Sequence, residues 1–589
     1  MAVLSLAACV AFFHLLIFSS SSSLRVGADP EAESSGSARH GRTAYHFQPG
    51  KNWQNDPNGP MYHNGMYHLF YQYNPHGATW GVGNFSWGHS VSGDLVNWAA
   101  LGDALEPTSP FDANGCWSGS ATVLPGGIPA ILYTGISADG EQVQNVAFPK
   151  NASDPLLREW VKPSYNPVIP LPADVPADFF RDPSTAWLGR DGLWRLAVSA
   201  KVGNAVGSTL IYRSKDFRLW ERNAAPLQES PAAGMVECPD LFPVAEPGVE
   251  VGLDHAPRSG TVVRHVLKLS ATDTFQDYYT VGRYNDTTDS FEPEDDGDDC
   301  QSWRRLDYGH VYASKSFFDA RKNRRVLWAW ANETDSQADD VAKGWSGIFP
   351  RKVWLDNDGK QLRQWPIEEI ETLRRRKVGL LGTVVNSGGV NEIVGVAGAQ
   401  ADVEVVFQIP ALEGAESFEP NWLLDPQRLC GEKGASVPGG VGPFGLLVMA
   451  SGDLQEHTAV FFRVFRHHDT YRVLMCADLS RSSTRAGVYK PPYGAFVDMD
   501  IEAHGRSISL RALVDHSVLE SFGGGGRTCI TARVYPEHAE NGKSHLYVFN
   551  NGSGAVKVAK LEAYELATAT VNVGDDGLIQ PSSMRRGEA

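Results

Sequence analysis

The sequence predicts an all-β fold, in which a five-bladed β-propeller is followed by a C-terminal antiparallel β-sandwich. Helix-period patterns are scarce, whereas short apolar runs separated by Gly, Pro and Asn clusters occur throughout. Fifteen of the sixteen Trp residues precede residue 370, so the composition changes near that position. A chain of 589 residues is also long enough for two or more domains.

The N-terminus predicts a secretory signal peptide over residues 1–28 and a polar leader over residues 29–44. Its apolar run, Leu4 to Phe18, is too short to span a bilayer and precedes a small-residue site that ends at Ala28. We expect secretion, with no membrane contact after cleavage. Five N-x-S/T sequons support a secreted glycoprotein; they begin at Asn84, Asn151, Asn285, Asn332 and Asn551.

The propeller is predicted over residues 45–370, where a sequence pattern recurs. The stretches Ser92–Trp98 and Ser214–Trp220 share the pattern S-x-D-hydrophobic-x-x-W, and each follows an alternating strand. A recurring strand-end signature in a Trp-rich region is typical of propeller blades. The copies are 122 residues apart, which fits two blades of about sixty residues each and five blades in all. The alternative is two unrelated turns that each contain a Trp.

Residues 371–394 are predicted to be a linker, and the charged stretch PIEEIETLRRRKV, residues 366–378, a helix or part of that linker. The β-sandwich is predicted over residues 395–575, and residues 576–589 form a tail. Eight long alternating runs separated by turns support the sandwich. They cover residues 401–409, 443–451, 458–465, 471–479, 507–514, 516–522, 529–536 and 545–551.

Charge and cysteine content narrow the class of ligand. The formal net charge of -17 argues against nucleic acid, because phosphate binding needs clustered Lys and Arg. A neutral polar substrate such as a sugar fits better. Cys116 and Cys238 stand without a His cluster at ligand spacing, so we interpret them as buried free thiols rather than metal ligands. We expect no cofactor and no metal, and one or two disulfides among the six Cys that follow the signal peptide.

Three carboxylates are the candidate catalytic groups. Asp56 lies in WQNDPNG, Asp182 in FRDPST and Glu237 in VECPDLF, each one or two positions before a Pro. Singly, each is more typical of an ordinary turn. Together they match glycoside hydrolysis, which needs two carboxyl groups across the scissile bond, and a third can hold substrate hydroxyls. The inner strands of a propeller converge on one funnel, so residues distant in sequence can meet there.

The chain resembles glycoside hydrolase family 32, specifically plant cell-wall invertases and fructan exohydrolases, and is most similar to a fructan exohydrolase. The matching stretches cover nearly the whole chain after the leader. They include NWQNDPNGPMY, GCWSGSAT, FRDPSTAWLG, ECPDLFPV, LDYGHVYASKSFFD, KGWSGIFPRKVWLD and HSVLESFGGGGRTCITARVYP. The family fold is a five-bladed propeller followed by a β-sandwich, in agreement with the expectation from the residues.

The resemblance implies a role for each carboxylate. Asp56 is implied as the nucleophile and Glu237 as the general acid/base, while Asp182 with Arg181 holds fructose hydroxyls. Retaining chemistry of this kind places the two reacting carboxyl groups roughly 5–5.5 Å apart. Further pocket residues implied by the family are Trp53, Asn55, Gln72, Trp80, Trp117 and Ser118.

Other features of the sequence receive structural interpretations. The resemblance implies a disulfide between Cys430 and Cys476 in the sandwich. Cys300, in the acidic stretch EPEDDGDDC, is expected to be a free thiol in a surface loop. Asp515, His516 and Glu520 form a cluster that looks catalytic on paper, but their place in the sandwich favours a structural role.

Substrate preference is predicted from three positions. Invertases of this group carry an Asp and, three residues later, a Lys beside the acid/base; here Thr272 and Phe275 stand at those positions. Val236 stands where the family often has Trp, which we interpret as added space near Glu237.

We therefore expect a fructan exohydrolase that releases terminal fructose from β-2,6- or β-2,1-linked chains, with a lean to 2,6. The alternatives are a cell-wall acid invertase that hydrolyses sucrose and a catalytically silent sugar-binding protein. The expected partner is an oligo- or polysaccharide. The protein is expected to be a monomer in the apoplast or cell wall, with the vacuole as the alternative location.

Overall fold

The computed structural model describes residues 42–80, 84–203, 206–255, 263–294, 297, 299–333, 345–539 and 542–572. Almost all regular structure in these ranges is β-sheet, which confirms the predicted all-β class. Described helical segments are short: η1 (Cys300–Ser302), η2 (Glu368–Leu373), η3 (Pro420–Leu423) and α1 (Pro426–Glu432). None of them is long and apolar enough to cross a membrane. The predicted signal peptide, the leader up to residue 41 and the tail lie outside the described residues.

Five antiparallel sheets follow one another along residues 53–366, each built from consecutive strands. Sheet 1 contains β1 (Trp53–His63), β2 (Met66–Asn74), β3 (Ser86–Ser92) and β4 (Ala99–Ala100). Sheet 2 contains β5 (Cys116–Leu124), β6 (Ile128–Ile136), β7 (Gln142–Pro149) and β8 (Trp160–Val161). Sheet 3 contains β9 (Phe180–Arg181), β10 (Trp187–Leu188), β11 (Trp194–Val202), β12 (Val206–Ser214), β13 (Trp220–Arg222) and β14 (Gln228–Ser230).

The remaining two sheets are also built from strands that are consecutive in the sequence. Sheet 4 contains β15 (Val236–Val244), β16 (Arg264–Ala271), β17 (Gln276–Asn285), β18 (Ser290–Pro293) and β19 (Arg304–Arg305). Sheet 5 contains β20 (Val311–Asp319), β21 (Arg324–Ala331), β22 (Arg351–Leu355) and β23 (Leu362–Pro366). Each sheet contacts the next, and β20 of sheet 5 packs beside β1 of sheet 1. The five blade-like sheets therefore close into a ring whose inner strands include β1, β5, β15 and β20.

The recurring sequence pattern forms the same turn twice. The Ser ends β3 in sheet 1 and β12 in sheet 3. In both copies it accepts a hydrogen bond from the backbone N–H three residues on, at 2.8 Å for Ser92 and 2.9 Å for Ser214. The Asp accepts from the following N–H groups, and the hydrophobic residue has positive φ, 64° at Leu95 and 62° at Phe217. The repeat is thus a shared turn in sheets 1 and 3.

The C-terminal sandwich contains two mainly antiparallel sheets over a large apolar core. One sheet has the order β24 (Arg374–Val385), β36 (Val556–Leu566), β26 (Gln400–Gln408), β32 (Ser507–Asp515), β33 (Val518–Gly523) and β34 (Thr528–Arg533). The other has the order β25 (Gly389–Glu392), β35 (His545–Asn550), β28 (Val441–Ala450), β29 (Thr458–His467), β30 (Thr470–Asp478) and β31 (Pro492–Val497), with β27 (Glu416–Ser417) beside β29.

The segment predicted as a linker is instead part of the sandwich. Only η2 is helical in the stretch 366–378, and residues 374–385 form β24. Two of its basic residues have cross-strand partners: Lys377 pairs with Glu562 at 2.6 Å and Arg374 with Asp402 at 2.7 Å. Because the charges pair across a sheet, the charged run does not require a solvated helix. The prediction of a linker over residues 371–394 was wrong, and a helix is present only over Glu368–Leu373 of the charged stretch.

The sandwich contacts the propeller through a buried ionic network. The His46 ring lies 2.8 Å from Asp515 and 2.8 Å from Glu520, and all three side chains are fully buried. Glu520 also accepts a bond from Arg351 Nε at 2.8 Å. Asp515 further accepts the backbone N–H groups of Tyr45 and His46. The structural interpretation of Asp515 and Glu520 therefore fits their positions; His516 follows β32, with a φ of 54°.

The structure shows the pairing and burial of the cysteines and the exposure of the sequon asparagines. Cys430 and Cys476 form a disulfide, with Cα atoms 5.8 Å apart. Cys116 and Cys238 are buried free thiols, as predicted. Cys300 is also free but fully buried rather than on the surface, because η1 places it in the core of sheets 3 and 4. The five sequon asparagines are exposed or half-buried.

Candidate active site

Four β-bulges gather the candidate residues in the ring. The register of β1 shifts across Asn55 and Asp56, that of β5 across Ser118, and that of β15 across Cys238, next to Glu237. The register of β20 shifts between Tyr312 and Lys315. A bulge inserts an unpaired residue and re-aims side chains. The motifs around these bulges contain Pro and Gly, which favour irregular strands. The irregular strands direct their polar side chains into the same part of the ring.

Asp56 lies beside a polar pair on neighbouring strands. Its Oδ2 is 2.6 Å from the hydroxyl of Ser118, which is also 2.6 Å from Gln72 Oε1. Burial chiefly, and then the negative charge of Asp182, raise the pKa of Asp56 to about 7, against a lowering by the Ser118 hydrogen bond. The predicted neighbour Ser118 therefore contacts the predicted nucleophile directly, and Gln72 is linked to it through Ser118.

Glu237 is held by a cation and a phenol. Arg181 donates to Glu237 Oε1 from Nε at 2.8 Å, and its Nη2 lies 2.7 Å from the same oxygen. The Tyr312 hydroxyl donates to the other oxygen, Oε2. Glu237 keeps some solvent access, with 19% of its side chain exposed. It is thus fixed in orientation yet reachable from the funnel, as an acid acting on a substrate oxygen requires.

Asp182 is buried and interacts electrostatically with both other carboxylates. Its backbone N–H donates to Thr134 Oγ1 at 2.9 Å, and its Oδ2 accepts from the N–H of Cys238 at 3.1 Å. Burial, followed by the charge of Glu237, raises the pKa of Asp182. The Cys238 thiol lies 3.7 Å from Asp182 Oδ2 and 3.8 Å from Asp56 Oδ2. One buried sulfur therefore touches both aspartates.

Backbone strain is concentrated at this place. Asp182, Cys238, Phe275 and Ala313 all have positive φ, between 47° and 64°. Such conformations cost energy for residues other than Gly and persist only where the surroundings fix them. They are recurrent at functional sites, where geometry is held against local preference.

The aromatic residues predicted for the pocket form one cluster. Trp80 lies 5.3 Å from Trp53 and 5.7 Å from Trp117, measured between ring centroids. Trp53 is buried, whereas 51% of Trp80 is exposed. Asn55 lies two residues after Trp53. Its buried Oδ1 has no hydrogen-bond partner in the described part of the chain. The cluster provides an apolar wall and an acceptor that a sugar hydroxyl could satisfy.

The three predicted specificity positions have different surroundings. Phe275 is 44% exposed and stacks on Tyr312 at 4.1 Å between centroids, so it forms the rim above Glu237. Thr272 Oγ1 donates to the carbonyl oxygen of Met235 at 3.2 Å. Val236 is fully buried in the core of sheets 3 and 4. Because β15 alternates its faces, Val236 points away from Glu237, and the added space expected from it is not formed there.

Sequence reasoning missed several groups at the site. Tyr312, Cys238 and Lys315 contact or face the carboxylates, although their motifs ECPDLF and YASKSFF were among the matching stretches. Only the bulges in β15 and β20 decide which of their residues turn inward. Within the described ranges, no set of three or more His, Cys, Asp and Glu side chains is arranged to hold a metal ion.

Three carboxylates at the centre of a ring of sheets, one held by Arg and Tyr, define a glycoside hydrolase of the paired-carboxylate type. Family models agree: Glycosyl hydrolases family 32 N-terminal domain matches residues 46–366, and Glycosyl hydrolases family 32 C terminal matches residues 369–565. The chain therefore belongs to family 32 of the glycosyl hydrolases.

Two curated relatives and one solved structure are similar over most of their length. "Beta-fructofuranosidase, insoluble isoenzyme 7" of Oryza sativa subsp. japonica is 74% identical, over 99% of this chain and 98% of the relative. "Fructan 6-exohydrolase" of Triticum aestivum is 72% identical, over 97% and 99%. The crystal structure of fructan 1-exohydrolase IIa from Cichorium intybus in complex with 1-kestose is 52% identical, with a TM-score of 0.86 over 90% of this chain and 98% of that one.

Proposed function

We propose that the protein is a fructan exohydrolase that removes terminal fructose from β-2,6- or β-2,1-linked fructans, with a lean to 2,6. The observation that carries the proposal is the rim above Glu237, where exposed Phe275 stacks on Tyr312. The wheat relative named as a fructan 6-exohydrolase and the chicory enzyme solved with 1-kestose support a fructan substrate.

The proposed mechanism is a double displacement with retention. Asp56 attacks C2 of the terminal fructosyl unit while Glu237 transfers its proton to the leaving oxygen. A carboxylate beneath the ring suits this step, because cleavage at the tertiary C2 builds up oxocarbenium character. Asp182 and Arg181 hold fructose hydroxyls. Water then takes the place of the leaving group, Glu237 accepts its proton, and the Asp56 ester is cleaved.

The rim supports a fructosyl rather than a glucosyl leaving group. The hydroxyl of Thr272 is committed to the Met235 carbonyl at 3.2 Å. The nearby carboxylate of Asp273 is bonded to Gln301 Nε2 at 2.8 Å. The rim position opposite Glu237 is therefore aromatic, with neither the carboxylate nor the ammonium of an invertase. An aromatic face packs against the apolar face of a sugar ring.

Sucrose hydrolysis, as in an acid invertase, is the second candidate. The rice relative at 74% identity is named a β-fructofuranosidase, and the residues proposed to hold the fructosyl unit serve either substrate equally. The two activities differ only in the group that leaves, so the distinction rests on Thr272 and Phe275.

A substrate panel tests the choice. Purified protein is incubated with sucrose, levan, inulin and 1-kestose at equal fructosyl concentration, and kcat/KM is obtained from released fructose. We expect faster release from fructans than from sucrose, and from levan than from inulin. A preference for sucrose over every fructan would replace the first candidate by the second.

Replacing Glu237 by Gln separates an enzyme from a silent sugar-binding protein. Glu237→Gln keeps the shape but removes the transferable proton, so fructose release should fall about 10²–10⁴-fold. Binding of 1-kestose, measured by calorimetry, should survive. Unchanged release in the variant contradicts the acid role of Glu237, and a wild type that releases no fructose from any substrate contradicts the proposed activity.

A further inference from the structure

Lys315 is a buried cation that the mechanism above does not use. Only 3% of the residue is exposed, and its ammonium has no hydrogen-bond partner among the described residues. An unpaired buried charge is costly, so its presence calls for an explanation. Lys268, equally buried on the neighbouring sheet, shows the usual arrangement: it donates to the Cys238 carbonyl at 2.7 Å and lies 3.8 Å from Asp277.

The bulge in β20 places Lys315 beneath the site. Tyr312 lies opposite Trp330 and Lys315 opposite Trp328, two positions apart on β21, so both side chains lie on one face of sheet 5. Tyr312 on that face bonds to Glu237. The strand packs beside β1, which carries Asp56, and beside β15, which carries Glu237. Lys315 therefore follows Tyr312 on the face of sheet 5 that bears the catalytic groups.

The charges around the site make this position significant. Arg181 is bonded to Glu237. The reaction needs Asp56 to be ionised while Glu237 carries the proton. The positive charge of Lys315 lowers the pKa of both Asp56 and Asp182. The other titratable or charged groups near them are Arg181, Glu237, Cys238, Asp240, Lys268, Asp277 and Tyr312.

We propose that Lys315 is a positioning residue of the reaction: its unpaired buried ammonium is the counter-charge that keeps Asp56 ionised for attack while Glu237 holds the proton. Since no described residue bonds to the ammonium, its field acts on Asp56 and Asp182 together rather than being neutralised by one of them. The inference rests on the proposed fructosidase activity but not on the choice between fructan and sucrose.

The test is the pH profile of kcat/KM on whichever substrate the wild type cleaves best. Lys315→Met removes the positive charge and keeps an unbranched side chain of similar length. Because Asp56 must be ionised, the acidic limb should move up by about one pH unit, and the rate on that limb should fall about tenfold. Lys315→Gln, which retains a polar end, should shift the limb in the same direction and serves where the Met variant does not fold.

Lys162→Met is the matched control. Its ammonium is bound to Asp112, outside the three carboxylates, so its loss should leave the acidic limb in place. Circular dichroism and melting curves verify that each variant is folded. A folded Lys315 variant whose acidic limb coincides with that of the wild type overturns the inference. A wild type that releases no fructose overturns the proposed function instead, so the two failures are distinct.

Discussion

At the scale of single residues, the rim positions Thr272 and Phe275 give the proposal its sharpest test. The double variant Thr272→Asp, Phe275→Lys introduces an acidic and a basic group beside Glu237, as in invertases that the chain resembles. Glucose hydroxyls would gain charged partners, so kcat/KM for sucrose should rise about tenfold, equivalent to about 1.4 kcal/mol. The measurement is the ratio of kcat/KM for sucrose to that for 1-kestose.

Asp273→Asn is the control for that experiment. Its side chain is adjacent in sequence but bonds to Gln301, so the sucrose-to-kestose ratio should not change. An unchanged ratio in the double variant, with fructan cleavage intact, would contradict the assignment of leaving-group preference to these two positions.

Asp56 should destabilise the folded protein at neutral pH. Its pKa is raised from 3.8 to about 7, so its contribution to stability is fully present below pH 3.8 and is lost as the pH rises through 7. Asp56→Asn cannot ionise. The variant should therefore melt several degrees above the wild type at pH 7, with the difference shrinking towards pH 4.

Asp289→Asn provides the opposite sign in the same assay. Asp289 is buried against Arg195 and Tyr284, and its pKa is lowered, with hydrogen bonds from Tyr284 and Arg213 outweighing the effect of burial. Its stabilisation is present above its ordinary pKa and is lost as the pH falls. Asp289→Asn should therefore melt below the wild type at pH 7. Equal melting temperatures of Asp56→Asn and the wild type at every pH would show that the pKa of Asp56 is not raised in the folded state.

The sequence could select the three carboxylates as candidates only together and through the motifs that resemble the family, because an Asp-Pro or Glu-Cys-Pro context by itself is typical of an ordinary turn. It could not identify Lys315 as a neighbour of Asp56, since 259 positions separate them and only ring closure brings β20 beside β1. The orientation of Val236 was likewise beyond sequence reasoning. A shift of one residue in the bulge of β15 would exchange its side chain with that of Glu237.

At the scale of elements, alternating strands were predictable and charged strands were not. All eight alternating runs of the sandwich are strands, since one face of each is buried in a common core. β24 was missed because three Arg and a Lys precede its apolar part, a pattern also typical of an exposed helix. Only the ion pairs with β36 and β26 show that Lys377 and Arg374 have partners.

The turn shared by sheets 1 and 3 should contribute to stability without contributing to catalysis. Asp216 Oδ1 accepts the N–H groups of Arg218 and Leu219 at 2.9 Å each. Asp216→Ala leaves both donors without this acceptor, so the free energy of unfolding in urea should fall by about 1 kcal/mol. Asp216→Asn retains one acceptor oxygen and should lose less.

Fructose release is the second measurement on these variants. The turn joins β12 to β13 and contacts none of the three carboxylates, so kcat/KM should equal that of the wild type for both. A loss of activity in folded Asp216→Ala would show that this turn affects the funnel, contrary to the structure.

At the scale of the whole molecule, the contact between propeller and sandwich depends on a pH-sensitive ion. His46 lies between the buried carboxylates Asp515 and Glu520. Hydrogen bonds and charges from both outweigh burial and raise the pKa of His46 from 6.5 to about 9. A raised histidine pKa stabilises the folded state fully below pH 6.5, and this stabilisation disappears as the pH rises through 9. A shift of this size corresponds to about 3 kcal/mol.

His46→Gln should remove that pH-dependent part of the stability. The variant leaves buried Asp515 without its cation and Glu520 with Arg351 alone, so it should melt well below the wild type at pH 6, where the network is fully charged. The gap in melting temperature should narrow by pH 9.5, because the wild-type His46 then loses its charge as well. Scanning calorimetry at the two pH values measures the gap, and an early partial transition would show the sandwich separating before the propeller unfolds. His265→Gln is the control, because burial lowers the pKa of His265 to about 4 and it stays neutral over this range. A wild-type-to-His46→Gln gap in melting temperature that is the same at pH 6 and pH 9.5 would mean that His46 does not change its charge between these pH values, contrary to its raised pKa.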